Sequence, residues 1–224
     1  MKWAPSGAHF DMLTLYSIPE SLYSAKLRIV LRVKGVPFDE VLPPGGYGTD
    51  EYKTVVPAGT VPAIVHDGFV LADSEAIAEY VNEVWPDPQL LPADPRDRAR
   101  ARERSRFHDT RLEPEIRSLF GHVAPTGRNK EFVSRKAELI SARLAQLGQM
   151  VSQFDGELTL GDCGFPASFV WLDQFFPALG ADIKWPEAVV SYRQMLMGNA
   201  DVKAEINAYQ VPATAWTTQK LAAV

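Results

Sequence analysis

The chain has 224 residues, of which 46% are hydrophobic and 23% charged, the composition of a globular protein long enough for one large or two modest domains. Its net charge of -5 argues against general nucleic-acid binding, no apolar run reaches membrane-spanning length, and the single cysteine, Cys163, excludes an internal disulfide. We therefore expect a cytoplasmic protein with neither a nucleic-acid nor a membrane partner.

The first part of the chain predicts a β-α-β unit behind a flexible extension. Residues 1–11 show no hydrophobic periodicity, whereas residues 12–17 are typical of a buried strand. Apolar residues at helical spacing predict a helix over 24–34, and residues 38–42 predict a second strand, parallel to the first. The cationic side chains of this helix that we expect to face water are Lys26, Arg28 and Arg32.

A hairpin follows a short irregular helix predicted at 50–55. Asp67 and Gly68 separate two β-rich runs, 63–66 and 69–71, and Asp-Gly between apolar runs is a strong hairpin signal. A helical pattern begins directly after the hairpin. This order of elements is that of a thioredoxin-like layer.

Two features beside the hairpin point to an anion-binding site. Asp73 and Ser74 offer capping side chains to the helix that follows the strand, and such a helix start presents unpaired N–H groups to a carboxylate or phosphate. Pro62 opens a strand, and a cis bond before it would leave the main chain of Val61 able to pair with an extended ligand. The sequence therefore predicts a site for a small peptide-like anion.

The remainder of the chain is predicted to be helical. Residues 86–95 are rich in proline and predict a linker between a thioredoxin-like domain, 12–85, and an all-helical domain, 96–224. Apolar periodicity predicts long helices over 96–122 and 130–154. The chain is thus expected to have an α/β domain followed by a helical bundle.

Local signals divide the helical domain further. Pro114 predicts a bend, and Thr159 followed by Asp162 is a variant of the capping box ahead of a strongly apolar helix. A short helix over 202–209 precedes a weakly patterned tail from Pro212. The acids that we expect to pair with the arginines of residues 96–106 on a solvated face are Asp97, Glu103 and Asp109.

No metal site is predicted. The histidines are scattered without the spacing of metal ligands, and Cys163 has no cysteine partner. We expect Cys163 to be a small buried hydrophobe. The histidines in question are His9, His66, His108 and His122.

The start of the first helix indicates thiol chemistry without a protein thiol. In thioredoxin-like redox proteins this position carries Cys-x-x-Cys, whereas here it reads Ser21-Leu22-Tyr23-Ser24, so a thiol must come with a ligand, which points to glutathione. Lowering a thiol pKa by roughly two units needs about 3 kcal/mol, which one hydroxyl donor and a helix end can supply. From spacing alone, Ser21 is interpreted as a turn and cap residue.

Four motifs in order resemble those of the cytosolic glutathione S-transferase family, in particular zeta-like or related bacterial serine-type members. The resemblance extends from Leu13 to Tyr209. It implies the glutathione S-transferase fold, a thioredoxin-like domain followed by a helical bundle. The motifs are Leu15–Leu31 for the first strand and helix, Pro57–Ile64 for the cis-proline loop, Asp73–Ile77 for the glutathione motif and Thr159–Asp162 for the capping box.

The resemblance also implies roles for single residues. Ser21 would donate to the glutathione sulfur, with Tyr23 and Ser24 as alternatives. Val61 would pair with the cysteinyl backbone before cis Pro62. The residues implied for the γ-glutamyl end are Ser74 and Asp73, and Lys53 is the candidate for the glycyl carboxylate because Thr60 stands where lysine is frequent in the family.

A second substrate is expected over the helix 96–122. The residues spaced to share one face there are Phe107, His108, Arg111 and Glu115. The function implied is a transferase that directs glutathione, its co-substrate, at a small hydrophobic electrophile, and the assembly implied is a homodimer. The alternatives are a glutathione-dependent isomerase, an ether-cleaving lyase or a peroxidase, and a non-catalytic protein that keeps the fold for binding.

Overall fold

A computed structural model describes residues 12–152 and 156–223. The predicted flexible extension over residues 1–11, and the final residues of the helix predicted to reach Phe154, lie outside this range. The strands are β1 (Leu13–Tyr16), β2 (Phe38–Val41), β3 (Ala63–His66) and β4 (Phe69–Ala72). The α-helices are α1 (Leu22–Val33), α2 (Asp50–Lys53), α3 (Ser74–Val84), α4 (Pro95–Phe107), α5 (Glu113–Arg117), α6 (Lys130–Val151), α7 (Phe165–Leu179), α8 (Glu187–Gly198) and α9 (Ala200–Leu221).

The strands form one mixed sheet in the order β2-β1-β3-β4. β1 pairs with β2 in parallel, and β1–β3 and β3–β4 are antiparallel, which confirms the predicted β-α-β unit and the hairpin. Asp67 and Gly68 have φ angles of 50° and 76°, as a two-residue turn of type I′ requires. A sheet of this kind followed by helices confirms the predicted fold class. The domain borders at residues 85 and 96 stay a prediction.

The register of the sheet brings three loops to one edge. Tyr16, the last residue of β1, lies opposite Ala63, the first of β3, and Ala63 lies opposite Ala72, the last of β4. Adjacent strands are about 4.8 Å apart, so the segments that continue from these three residues begin close together. Ser21, Val61 and Ser74 each belong to one of these segments.

Residues 24–31 of α1 are all buried, and the expectation that Lys26 and Arg28 face water was wrong. Their residues are 1% and 6% exposed, because α1 packs between the sheet, α3 and the helices α7 and α9. The cations are paired instead with carboxylates from distant elements, Glu75 and Asp109 for Lys26 and Glu205 for Arg28. Hydrophobic periodicity identifies one buried face and gives no sign of a second, charged one. Arg32 is exposed as expected.

The helix predicted over 96–122 is interrupted ahead of Pro114. α4 ends at Phe107, a π-helical turn covers His108–Leu112, and α5 then begins with Pro114 in its first turn. Proline has no N–H to bond the carbonyl four residues back, and its ring crowds that carbonyl, so the preceding turn widens. The predicted bend is present, as a π turn.

The interior of the helical part confirms the capping box. The main-chain N–H of Thr159 donates to Asp162 Oδ2 at 2.9 Å, and Asp162 is fully buried. Arg104 pairs with Asp162 at 2.8 Å, so this arginine belongs to the core and not to a solvated face. Asp109, expected on the same face, is likewise an interior ligand of Lys26. Cys163 is fully buried, as predicted.

α9 is longer than predicted. The expected short helix and unpatterned tail form one helix, Ala200–Leu221, that continues through Pro212. Trp216 lies 5.5 Å from Trp171 and 5.0 Å from Phe120, measured between ring centroids. This aromatic packing offsets the cost of an internal proline, which local sequence signals do not reveal.

Candidate functional site

Ser21 stands at the start of α1 with its hydroxyl hydrogen unused. Its Oγ accepts the N–H of Ser24 at 3.2 Å, and its own N–H donates to the carbonyl of Ile18 at 3.1 Å. No described residue accepts a hydrogen bond from the Ser21 hydroxyl. The group can therefore donate to a ligand while its oxygen remains fixed by the helix start.

The two alternative thiol partners are less available. Tyr23 donates its hydroxyl to Glu113 Oε2 at 2.9 Å, and burial together with the Glu113 charge raises the pKa of Tyr23 well above its usual range. Tyr23 thus remains a phenol whose hydrogen is already engaged. Ser24 is fully buried, and its Oγ contacts no hydrogen-bond partner within the described residues. The geometry favours Ser21 among the three.

The loop before β3 presents an unpaired main chain. The Val61–Pro62 bond is cis, and neither the N–H nor the C=O of Val61 bonds to any residue that the structure describes. The loop is held from its other side, where Tyr52 donates to the carbonyl of Thr60 at 3.0 Å. Val61 therefore offers a donor and an acceptor in the manner of a strand edge.

Lys53 runs along this loop. Gly59 has a φ of +65°, and a Cβ there would lie 3.2 Å from Lys53 Cγ and Cε, so the methylene groups of Lys53 pack on the glycine. The Lys53 ammonium lies 3.5 Å from Asp50, whose side chain is fully exposed. A pair of this kind is weak, so the ammonium can turn to a ligand carboxylate.

The start of α3 keeps two donors unpaired. Asp73 caps the helix through Oδ1, which accepts the N–H groups of Glu75 and Ala76, each at 3.0 Å. The N–H and the hydroxyl of Ser74 have no partner among the residues described, and Ser74 is 8% exposed. Asp73 has a φ of 83°, a strained value for a non-glycine residue that is typical of binding sites. Ser74 is thus arranged to donate to a carboxylate.

A buried ionic cluster lies behind this helix start. Lys26 Nζ is 2.6 Å from Glu75, 3.0 Å from Asp109 and 3.3 Å from Ser105 Oγ, so the cluster joins α1, α3 and the end of α4. Burial opposes ionisation of Asp109, but the His108 hydrogen bond and the Lys26 charge outweigh it and lower the pKa of Asp109 to about 2. The cluster fixes the helix that carries Ser74 against the helix that carries Ser21.

His108, predicted in the electrophile site, belongs to this interior. It is 1% exposed, and its ring nitrogens lie 2.6 Å from Asp109 Oδ1 and 2.8 Å from Ser168 Oγ. The expectation that it faces a second substrate was wrong. His108 directly follows the regular helix α4, and the polar atoms of its ring are satisfied by the protein.

The other three electrophile candidates lie toward α6. Phe107 and Arg111 line a cavity of about 770 Å³ between α4 and α6, whose lining does not include Ser21, Val61 or Ser74. Glu115 pairs with Lys136 at 2.5 Å. Electrophile binding by Phe107 and Arg111 stays a prediction.

Glu113 and Arg117 contact Tyr23 in the first turn of α1, and neither contact was predicted from the sequence. Glu113, itself 3% exposed, accepts from Tyr23 and pairs with Arg117 at 2.5 Å, and the Arg117 guanidinium lies 5.5 Å from the Tyr23 ring centroid. Tyr23 and Glu113 are 90 residues apart in the chain, so no local spacing could pair them. The exposed Arg117 head adds a positive charge near the start of α1.

Residues 12–152 and 156–223 contain no cluster of three His, Cys, Asp or Glu side chains able to hold a metal ion. They also contain no helix with both the length and the apolar character needed to cross a membrane.

Comparison with known proteins adds to this geometry. Residues 15–89 match the family model described as glutathione S-transferase, N-terminal domain. The chain is 31% identical to a stringent starvation protein A homolog of Haemophilus ducreyi over 72% of this chain and 74% of that protein. It is 41% identical to the maleylacetoacetate isomerase of Mus musculus, over 38% of this chain and 42% of that one.

The fold is also that of solved structures. The delta-class glutathione transferase of Nilaparvata lugens superposes with a TM-score of 0.80 at 21% identity, over 93% of this chain and 99% of the other. At this identity the likeness concerns the fold alone.

Proposed function

The chain belongs to the glutathione S-transferase family, and we propose that it activates the thiol of glutathione for attack on an electrophilic carbon. One observation carries the proposal. At a single edge of the sheet, the Ser21 hydroxyl hydrogen, the Val61 peptide groups and the Ser74 donors all lack partners within the described chain. These groups correspond in kind to what a thiolate, a peptide backbone and an α-carboxylate require.

The proposed chemistry needs no protein nucleophile. A free thiol has a pKa of about 8.5, so only a few per cent is ionised at neutral pH. A hydrogen bond from Ser21 to the thiolate is worth roughly 1.5 to 3 kcal/mol, which lowers the thiol pKa by about one to two units. The proton leaves to water, the sulfur lone pair forms the bond to carbon, and the leaving group departs with its electron pair.

The remaining glutathione contacts follow from the same edge. We place the cysteinyl backbone on Val61 before Pro62, and the γ-glutamyl carboxylate on Ser74. Asp73 keeps Oδ2 for the ammonium, because the cap uses only Oδ1. Lys53 is proposed to meet the glycyl carboxylate, since its ammonium is half exposed along the same loop.

Two further readings of the function remain candidates. The similarity to the mouse maleylacetoacetate isomerase favours a glutathione-dependent isomerase over a lyase or a peroxidase. A non-catalytic binding protein of this fold would keep the Val61 and Ser74 contacts without needing the Ser21 hydroxyl. Homodimer formation, a role in detoxification and a cytoplasmic location belong to the proposal as well, on the strength of the family alone.

Calorimetric titration with glutathione, followed by assay with an activated aryl chloride such as chlorodinitrobenzene, tests the proposal. Binding in the micromolar-to-millimolar range with chloride-releasing turnover supports a transferase. Binding without turnover of the aryl chloride or of a maleyl substrate favours the non-catalytic reading. Absence of binding contradicts a glutathione site at this edge.

A further inference from the structure

The loop that carries Ser21 is held by a residue from the far end of the chain. Tyr209 of α9 donates its hydroxyl to the carbonyl of Glu20 at 2.8 Å, and that carbonyl belongs to the peptide that joins Glu20 to Ser21. Tyr209 is 1% exposed. A hydrogen bond of this length, protected from water, fixes the plane of that peptide and with it the direction in which Ser21 leaves the main chain.

Tyr209 is in turn held by a second buried side chain. The indole N–H of Trp171, a fully buried residue, donates to the Tyr209 hydroxyl oxygen at 2.6 Å. The hydroxyl therefore accepts from Trp171 and has its one hydrogen left for Glu20. Burial raises the pKa of Tyr209, so the group stays a donor over the working pH range. Hydrogen bonds in such a chain strengthen one another.

α9 also holds the other end of the same loop. Glu205, one helical turn before Tyr209, binds Arg28 Nε at 2.5 Å. Arg28 reaches Glu40 at 2.8 Å, and Glu40 accepts from the hydroxyl of Ser17, where the loop begins. One face of α9 therefore holds the loop at two points. Glu205 acts at its start through Arg28, and Tyr209 acts directly before Ser21.

We infer that Tyr209 is a positioning residue for Ser21, so that α9 of the helical part sets how well the hydroxyl in the α/β part stabilises the glutathione thiolate. The inference rests on the proposed function. Tyr209 donates to the peptide before Ser21 and is not proposed to touch glutathione. Its loss should therefore affect thiolate stabilisation more than glutathione affinity, which depends on Val61 and Ser74 at other points of the site.

Tyr209→Phe tests the inference, because it removes one hydroxyl and keeps the ring. We expect the thiol pKa of bound glutathione to rise by about half to one unit and kcat with an aryl chloride to fall about three- to tenfold, while the KM for glutathione changes less than about twofold. Trp171→Phe, which leaves the Tyr209 hydroxyl in place, should shift the thiol pKa in the same direction by less.

Tyr192→Phe is the matched control. It also removes a buried phenol hydroxyl. Tyr192 lies on α8, and its hydroxyl donates to Asp162 at 2.6 Å and not to the loop before Ser21. It should lower stability and leave the thiol pKa unchanged. The inference is overturned if Tyr209→Phe leaves the thiol pKa at the wild-type value, or if Tyr192→Phe raises it equally. A wild-type protein that binds glutathione without lowering its thiol pKa contradicts the proposed function itself, which is a separate result.

Discussion

Two helix starts in this protein are both capped by nearby side chains, but they differ in whether the chain also supplies partners for their other polar groups. At Thr159–Asp162 the chain supplies every partner: Asp162 accepts from the Thr159 main chain at 2.9 Å, from Arg104 at 2.8 Å and from Tyr192 at 2.6 Å. At the start of α3, Asp73 satisfies two N–H groups, and the donors of Ser74 remain unpaired within the described chain. Both starts show capping residues in the sequence.

The difference separates stability from binding. A helix start whose donors are all satisfied by buried groups contributes to folding. Breaking it removes buried hydrogen bonds and so lowers stability. A start that keeps donors unpaired gains little for folding and is available to an anion. We call these the closed start, at Thr159–Asp162, and the open start, at Asp73–Ser74. The comparison can be tested by breaking each.

The largest expected effect comes from breaking the closed start. Asp162→Ala removes the carboxylate that pairs with the buried guanidinium of Arg104. We therefore expect the free energy of unfolding to fall by about 3 to 5 kcal/mol. Denaturant unfolding measures this. Asp173→Ala, which breaks a surface pair with Arg193, should cost less than about 1 kcal/mol. If both variants lost the same free energy of unfolding, the closed start would not be a source of stability.

Breaking the open start should affect the ligand instead. Ser74→Ala removes a hydroxyl donor to the proposed γ-glutamyl carboxylate, and charge-assisted hydrogen bonds are worth roughly 1.5 to 3 kcal/mol. Calorimetry should show glutathione affinity reduced about ten- to a hundredfold, with the unfolding midpoint close to wild type. If Ser74→Ala lost stability and kept its affinity for glutathione, the open start would serve folding and not binding.

Acid should weaken the Lys26 cluster behind the open start. The pKa of Asp109 is lowered to about 2 in the folded protein, against an ordinary value near 4 when unfolded. A lowered pKa gives stability that is present above about pH 4 and lost as the pH falls towards 2, here about 2.5 kcal/mol. Unfolding measured across this window should lose more stability in the wild type than in Asp109→Asn. Parallel curves would contradict the role given to Asp109.

The smallest effect on chemistry is expected at Tyr23. Its hydrogen is engaged by Glu113, so Tyr23→Phe should leave the thiol pKa of bound glutathione unchanged while costing about 1 kcal/mol of stability. Spectroscopic titration of the thiolate and denaturant unfolding measure the two quantities. A thiol pKa that rises by a full unit would transfer the role of Ser21 to Tyr23.

Local signals explain what could be predicted from the sequence. The hairpin at Asp67-Gly68, the cap at Asp73 and the capping box at Thr159 each depend on residues within a few positions of one another, and all three are present. Strand register brings the segments of Ser21, Val61 and Ser74 to one edge of the sheet, so their proximity could be predicted from the sequence. Their roles toward glutathione came from the family resemblance and stay a prediction.

Long-range packing explains what could not. Lys26 was expected to face water and His108 a second substrate, and both are buried because they have partners from elements far along the chain. The length of α9 depends on Trp216 packing against Trp171, which no local pattern around Pro212 reports. Burial of side chains such as these was therefore the part that the sequence predicted least well.

The central claim, that the Ser21 hydroxyl stabilises the glutathione thiolate, is tested most directly by titrating the thiolate absorbance of bound glutathione in the wild type and in Ser21→Ala. We expect a thiol pKa lowered by about one to two units in the wild type and close to its free value in the variant. A lowered pKa that persists in Ser21→Ala would contradict the account.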